Sequence, residues 1–181
     1  MATFEPVSAV SPHLESQSRE RLSPPFAAGE REMLTAFLDF QRATVLTKCM
    51  GVLDADARRI VAPSARMTLA GLVSHLKWTE HYWFVRVLAG VDETAPYDGI
   101  DSDADWSPAH DVSFEQLLFE YDQQCARSSE IAAGVELGGV AKHGNRPATL
   151  RWILLHMIEE TARHLGHADI VREFIDGTTG V

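Results

Sequence analysis

The chain has 181 residues, of which 45% are hydrophobic and 23% charged, as is typical of a single globular domain. Its formal net charge is −10, and its 16 basic residues form no cluster, so nucleic acid is not expected as a partner. The sequence has no run of eighteen apolar residues and no apolar segment behind a basic amino terminus, which predicts a cytoplasmic protein without a membrane partner.

The first 28 residues differ in pattern from the rest of the chain. They contain four of the eight prolines and no periodic apolar residues, which predicts an extended or disordered arm over residues 1–28. From there on apolar residues recur at helical spacing, and residues 29–181 are predicted to form a single domain. Its first helix is expected over residues 29–50, ended by Gly51, with a short helix after it.

Helical periodicity returns in three further segments. Thr68 is a suitable N-cap for the first of them, and Ser113 with Gln116 has the pattern of a capping box at the start of the second. The three segments are residues 69–89, 113–134 and 148–175. Cys49 and Cys125 fall within predicted helices and are expected to be buried, reduced thiols. With no alternating strand pattern, the fold class is predicted to be all-α, a four-helix bundle with one long crossover connection.

The crossover, residues 90–112, is rich in acidic residues. Asp101, Asp103 and Asp105 alternate as in a calcium-binding EF-hand loop. Trp106 stands where that loop needs glycine, and its last position is not glutamate, so the calcium pattern fails. A solvated, flexible acidic loop is therefore expected.

Most of the proton-active side chains lie on one stripe of the last predicted helix. At about 100° per residue these side chains fall within an arc of about 80°. The stripe continues into apolar residues that are expected to form the buried face. Buried polar groups need partners, and a metal ion is the simplest single partner for several of them. The stripe consists of His156, Glu160, His164 and His167, and the apolar residues are Trp152, Leu155, Ile170 and Phe174.

The best candidate metal ligands are Glu160 and His164, whose i,i+4 spacing lets both reach one ion. A third ligand has to come from a facing helix, and His75 shares a face with apolar residues of the second long helix. Taken alone, His75 is better interpreted as a hydrogen-bonded core residue; beside Glu160 and His164 it becomes the predicted third ligand. Two imidazoles and one carboxylate leave a fourth position for water or substrate.

The neighbouring candidates receive other roles. Glu159 is i,i+4 from Arg163, which favours an ordinary ion pair. His81 points away from the face of His75 on an α-helix and is expected at the surface or against a partner. His156 and His167 are each interpreted as an outer group that orients a ligand, a substrate contact or a satisfied core residue.

Two motifs in this order resemble the DinB-like/YfiT-like metalloenzyme superfamily, and within it an actinobacterial branch of uncharacterised proteins. They are Leu72-Val-Ser-His75-Leu-x-x-x-Glu80-x-x-Trp83-Phe84 and Glu159-Glu160-Thr-Ala-Arg163-His164-Leu-Gly-His167-Ala-Asp169. The resemblance covers residues 26–176. Because Glu160 takes the place of a histidine that many members carry, the chain is also similar to mycothiol-dependent maleylpyruvate isomerase.

The resemblance implies a four-helix bundle, a divalent ion on three bundle side chains, and a homodimer. Carried over to this sequence, it puts zinc, or else nickel, on His75, Glu160 and His164. It also implies a low-molecular-weight thiol such as mycothiol as cosubstrate. An exposed aromatic cluster of Trp78, Tyr82 and Phe84 could then form the dimer interface, although ordinary bundle core is the simpler interpretation.

Three classes of function follow. The first is a metal-dependent thiol S-transferase or isomerase, in which a metal-bound thiolate attacks a small electrophile. The second is a metal-dependent hydrolase, in which Glu80 or His167 would be the catalytic general base. A two-histidine, one-carboxylate set can also hold iron for oxygen chemistry, but nothing else in the sequence indicates it. The third is a non-catalytic bundle whose metal is structural.

Overall fold

The computed structural model describes residues 20–142 and 147–180, and in this part of the chain all regular structure is helical apart from one isolated bridge between Val140 and Thr149. The helices are α1 (Glu30–Cys49), α2 (Asp54–Ala57), α3 (Leu69–Glu80), α4 (Phe114–Ala133) and α5 (Leu150–Asp176). A π-helix, His81–Leu88, continues α3 without a break. The predicted all-α fold class is thereby confirmed. Among the described helices none is both long and apolar enough to cross a membrane.

The helices α3, α4 and α5 begin at hydroxyl side chains that cap their free N–H groups, whereas α1 begins at Gly29 without a side-chain cap. Thr68 Oγ1 accepts a 3.0 Å bond from the N–H of Gly71, and Ser113 Oγ accepts a 3.1 Å bond from that of Gln116. The Gln116 side chain donates to Glu120 instead of returning to Ser113, so only half of the predicted capping box forms. Both predicted N-caps are confirmed, and they fix where α3 and α4 start.

Two apolar clusters hold the bundle together. One lies towards the carboxyl end of α1 and includes Leu72, Leu117 and Val171; the other lies towards the opposite end and includes Phe84 and Met157. α1 packs chiefly along α5, and α3 along α4. Burying such side chains contributes about 1.5–3 kcal/mol each, which drives the helices together.

A buried ion pair separates the two apolar clusters. Glu80, only 1% exposed, accepts two 2.7 Å bonds from the guanidinium of Arg42, itself 2% exposed. Arg42 also donates to Ser129 and Asp39. Burial alone would lower the pKa of Arg42, but the facing carboxylate of Glu80 outweighs it and raises that pKa. The charges are therefore paired across α1 and α3.

His81 is buried, and the expectation of a surface position is wrong. His81 is the first residue of the π-helix and still has α-helical backbone angles, so its direction is close to the one expected; it is buried because the crossover covers this side of the helix. Its Nε2 lies 3.2 Å from Glu93 Oε2 and its Nδ1 lies 3.4 Å from the Tyr97 hydroxyl. Burial lowers the pKa of His81. These contacts attach the start of the crossover to the bundle.

The aromatic side chains that could form a dimer interface divide between core and surface. Phe84 is fully buried in the second apolar cluster and cannot contribute to such an interface. Tyr82 is 40% exposed and Trp78 is half-buried. The simpler interpretation, bundle core, holds for Phe84, and the homodimer remains a prediction.

The crossover is only partly the solvated loop that its composition predicts. Asp101 and Asp103 are exposed and pair with Arg66. Asp105 and Trp106, however, lie in a short 3₁₀ turn that packs on α3, and Asp105 is only 7% exposed. The prediction is wrong for these two residues because a partner on α3, not the loop's own sequence, decides their burial.

The two cysteines are buried free thiols, as predicted. Burial raises the pKa of Cys49 to about 12, so its thiolate is not available near neutral pH. Most of the predicted arm over residues 1–28 lies outside the described residues. Where the description starts, Arg21 donates a 2.9 Å bond to Thr44 and stacks on Phe40, which ties this part of the chain to α1.

Candidate metal centre

The three predicted metal ligands come together between α3 and α5. His75 Nε2 lies 3.3 Å from Glu160 Oε1, and His164 Nε2 lies 3.0 Å from the same oxygen. One ligand atom from each residue lies within 4.8 Å of the other two. Among the described residues this is the one group of three or more such side chains close enough to share an ion.

The donor set and its spacing fit a zinc-sized ion. Zinc is bound by His nitrogens and carboxylate oxygens at about 2.0–2.2 Å, so two ligand atoms of a tetrahedral site lie about 3.4 Å apart. Two of the three separations, those of His75 Nε2 and His164 Nε2 from Glu160 Oε1, are 3.3 and 3.0 Å and so close to that value. Two imidazoles and one carboxylate can also hold nickel or iron, so the geometry does not select the metal.

Each ligand has an outer partner that directs one of its atoms towards the others. Asp105 Oδ2 lies 2.7 Å from His75 Nδ1, which puts the proton on Nδ1 and leaves Nε2 as a free electron pair. Arg163 donates a 2.9 Å bond to Glu160 Oε2, which leaves Oε1 for the site. The outer partner of His164 is His167, whose ring contacts His164 Nδ1.

His167 lies against the outer nitrogen of His164. The two Nδ1 atoms are 3.4 Å apart, so one ring can donate to the other while His164 Nε2 points towards Glu160. Of the three roles considered for His167, this position corresponds to the outer group that orients a ligand. The residue also stays near enough to the site for its predicted catalytic role, which remains a prediction.

Trp106 closes one side of the centre. Its ring stacks on His75 with centroids 4.0 Å apart and planes 15° apart, and it meets the ring of His164 edge-on at 5.2 Å. The Asp105-Trp106 pair therefore supplies both a hydrogen bond and an apolar cover. Sequence reasoning missed both residues; a large aromatic residue inside an otherwise polar loop was the available signal.

The protonation states suit metal binding. Burial lowers the pKa of His164, and the nearby His75 adds to the effect, which favours the neutral imidazole that ligates metals. Burial would raise the pKa of Glu160, but its contacts with His75, His164 and Arg163 outweigh burial and lower that pKa. Glu160 is therefore a carboxylate at neutral pH.

The polar stripe of α5 lies at the edge of its buried face, not at the centre. His164 is buried at 7% exposed, whereas the apolar residues expected to share the core are 48–68% exposed, so that expectation is wrong. The face that packs inward is rotated from the stripe and carries Ile153, Met157, Thr161 and Val171. As a result the metal ligands lie at the edge of the interface between α3 and α5, with side chains that are 8–16% exposed. The exposed apolar residues are Trp152, Leu155, Ile170 and Phe174.

Two further predicted residues occupy other places. Glu159 pairs with Arg163, as predicted, and does not join the ligand group. Glu80, a candidate general base, is engaged on both oxygens by Arg42 in the buried layer. It lies five residues after His75 on the same helix and outside the group of converging ligand atoms. Its catalytic role remains a prediction.

Comparison with known proteins adds three findings. A family model described as mycothiol-S-transferase matches residues 33–177. A solved structure of a conserved protein from Enterococcus faecalis is similar over 84% of this chain and all of its own, with a TM-score of 0.58 and 17% identity. At that identity the likeness concerns the fold alone. No curated protein matches the chain significantly.

Proposed function

The chain belongs to the mycothiol-S-transferase family, and from this premise we propose a metal-dependent enzyme that joins the sulfur of a mycothiol-type thiol to a small electrophile. The observation that carries the metal part of the proposal is the convergence of His75, Glu160 and His164 within 4.8 Å. The thiol part rests on the family. In a variant of the same chemistry, the thiol adds to a double bond that is conjugated with a carbonyl, and the substrate is then isomerised.

The proposed ligands are His75 and His164 through Nε2, and Glu160 through Oε1. A bound zinc would lower the pKa of a thiol in the remaining position and so supply a thiolate near neutral pH. Three protein ligands leave that position open, which is the arrangement of catalytic rather than structural zinc sites.

The protein's own side chains orient and shield the reacting sulfur. Asp105 fixes the tautomer of His75, and Arg163 neutralises the outer oxygen of Glu160. Trp106 covers the rings of His75 and His164 and limits access of water from that side. Transfer forms a carbon–sulfur bond, releases the leaving group of the electrophile, and gives the thiol proton to the solvent.

A hydrolase would need a general base close to the same centre. Of the two residues considered for that role, Glu80 is held by Arg42 across both carboxylate oxygens. That leaves His167 as the base that this alternative would use. No contact of the described residues favours hydrolysis over thiol transfer, and the family favours the transfer.

The direct test is the thiol dependence of electrophile consumption. We expect purified protein reloaded with zinc or nickel to release chloride from 1-chloro-2,4-dinitrobenzene only when mycothiol is present, at a rate above the uncatalysed reaction. Chelator-treated protein is the control for the metal. Equal turnover without any thiol would instead support the hydrolase. Metal that stabilises the fold with no turnover of either kind would support the non-catalytic bundle.

Asp105 offers a prediction that does not depend on turnover. Replacing it with Asn removes the charge that orients His75, and loss of such an outer partner typically weakens metal affinity about 10–100-fold. Asp103→Asn is the matched control, because Asp103 lies in the same turn but pairs with Arg66 at the surface. Competition with a chromogenic chelator measures both affinities. Equal affinities in the two variants would show that Asp105 does not support the centre.

A further inference from the structure

A cluster of three aromatic rings lies on the same pair of helical segments as the candidate metal centre. Trp83 belongs to the π-helix, and Trp152 and His156 belong to α5. The Trp83 centroid is 5.0 Å from that of Trp152 and 4.9 Å from that of His156. The rings of Trp152 and His156 are 5.0 Å apart and within 17° of parallel. Trp152 is nevertheless 48% exposed, so much of the cluster faces solvent.

The antiparallel course of α3 and α5 places this cluster about two helical turns from the ligands along the same helix pair. His75 faces Glu160 at one level, and Trp83, eight residues after His75, faces Trp152, eight residues before Glu160. Eight helical residues rise about 12 Å, and His156 is only one turn, about 6 Å, from Glu160. A molecule the size of one ring, resting on the cluster, therefore extends towards the metal centre.

The π-helix contributes to this arrangement. On a regular α-helix Trp83 would be rotated about 80° from His75. The π-helix starts at His81 and turns less per residue, which brings Trp83 closer to the side of His75 that faces α5. Such departures from α-helical winding occur frequently at functional sites.

We infer that the Trp83–Trp152–His156 cluster binds a planar aromatic or conjugated electrophile and directs its reacting carbon towards the metal centre. The inference rests on the proposed function and specifies its substrate class. Flat ring faces stack well on other flat, polarisable rings, whereas a saturated ring cannot approach them as closely. His156 can add a ring nitrogen as a hydrogen-bonding partner for a polar substituent.

Binding can be measured without metal, thiol or turnover. The chain has four tryptophans, so its indole N–H signals in a ¹H–¹⁵N spectrum form a small, assignable set. We expect benzamide to shift the signals of Trp83 and Trp152 in a saturable manner and to leave Trp78 unchanged. Cyclohexanecarboxamide, which has the same polar group on a saturated ring, should bind about tenfold more weakly. Equal affinity for the two amides would overturn the inference.

Substitutions identify the site. Trp152→Ala should weaken benzamide binding about tenfold, and Trp152→Phe should restore most of it. Phe174→Ala is the matched control: Phe174 is a 68% exposed aromatic residue of the same helix and makes no ring contact among the described residues. Wild-type affinity in Trp152→Ala would overturn the proposal. A second result would also overturn it: Trp152→Ala loses self-association, measured by sedimentation, while its benzamide binding is unchanged. The rings would then contact a second copy of the chain instead of a small molecule.

Failure of this inference is distinguishable from failure of the proposed function. If benzamide binds at Trp152 but no thiol-dependent turnover is found, the ring site stands and the thiol chemistry does not. If turnover of 1-chloro-2,4-dinitrobenzene requires a thiol but its KM is unchanged in Trp152→Ala, the proposed function stands and the ring site is wrong. A rise in KM with little change in kcat is the result expected.

Discussion

Replacing Glu160 with Ala is expected to abolish stoichiometric metal binding. Glu160 Oε1 is the atom that both imidazoles approach, at 3.3 Å for His75 and 3.0 Å for His164. Its loss leaves two neutral ligands and no negative charge to offset the ion. Metal affinity should fall by more than it does when an outer partner is removed, which weakens it about 10–100-fold. Elemental analysis after reloading with zinc or nickel measures it, with about one ion per chain expected in the wild type.

Glu159→Ala is the matched control for this substitution. Glu159 is the adjacent carboxylate on the same helix, pairs with Arg163, and is not part of the ligand group. It should retain its metal and all thiol-dependent activity. His75→Ala should behave as Glu160→Ala does. Undiminished metal in both ligand variants would place the ion elsewhere, and no metal in the reloaded wild type would rule out a metal centre at these residues.

The largest loss of stability is expected from Glu80→Ala. The substitution leaves the guanidinium of Arg42 buried without its main partner, and breaking a buried ion pair in this way costs about 3–5 kcal/mol. Denaturant unfolding at neutral pH measures the change in the free energy of unfolding. A cost below about 1 kcal/mol, as for surface pairs, would contradict the buried position of the pair.

Two further variants separate the roles of this ion pair. Asp39→Ala is the control at the exposed end of the same network and should cost about 1 kcal/mol or less. The double variant Arg42→Met/Glu80→Met removes both charges and should recover most of the stability lost in Glu80→Ala. If the double variant folds but loses activity in the presence of bound metal, the catalytic role predicted for Glu80 gains support.

The helices and the ligand triad could be predicted because their signals are local. Hydroxyl caps at Thr68 and Ser113 and the i,i+4 spacing of Glu160 and His164 lie within one or two helical turns of sequence. The third ligand required an inference about facing helices, and the apolar face that His75 shares supplied it. Periodicity and short-range spacing therefore predicted the helices and the three converging side chains.

The remaining features depend on contacts that no local pattern encodes. Asp105 bonds to His75 across 30 positions of sequence, from a loop without periodicity. Around the first turns of α5 apolar residues occur on several sides, so periodicity could not decide between the exposed Trp152 and the buried Ile153 as the inward face. His81 is buried by Tyr97 and Glu93 of the crossover, and the angular position of a residue on its own helix does not reveal such a contact.

The buried Arg42–Glu80 pair also has a consequence for helix register. Glu80 and His75 are on one helix, five residues apart, so sliding α3 by one turn against α1 would displace both together by about 5.4 Å. Such a slip would leave two buried charges facing apolar neighbours, whereas apolar side chains alone would tolerate it more readily. The ion pair thus favours one register of the bundle, and in that register His75 lies level with Glu160 on the opposite helix.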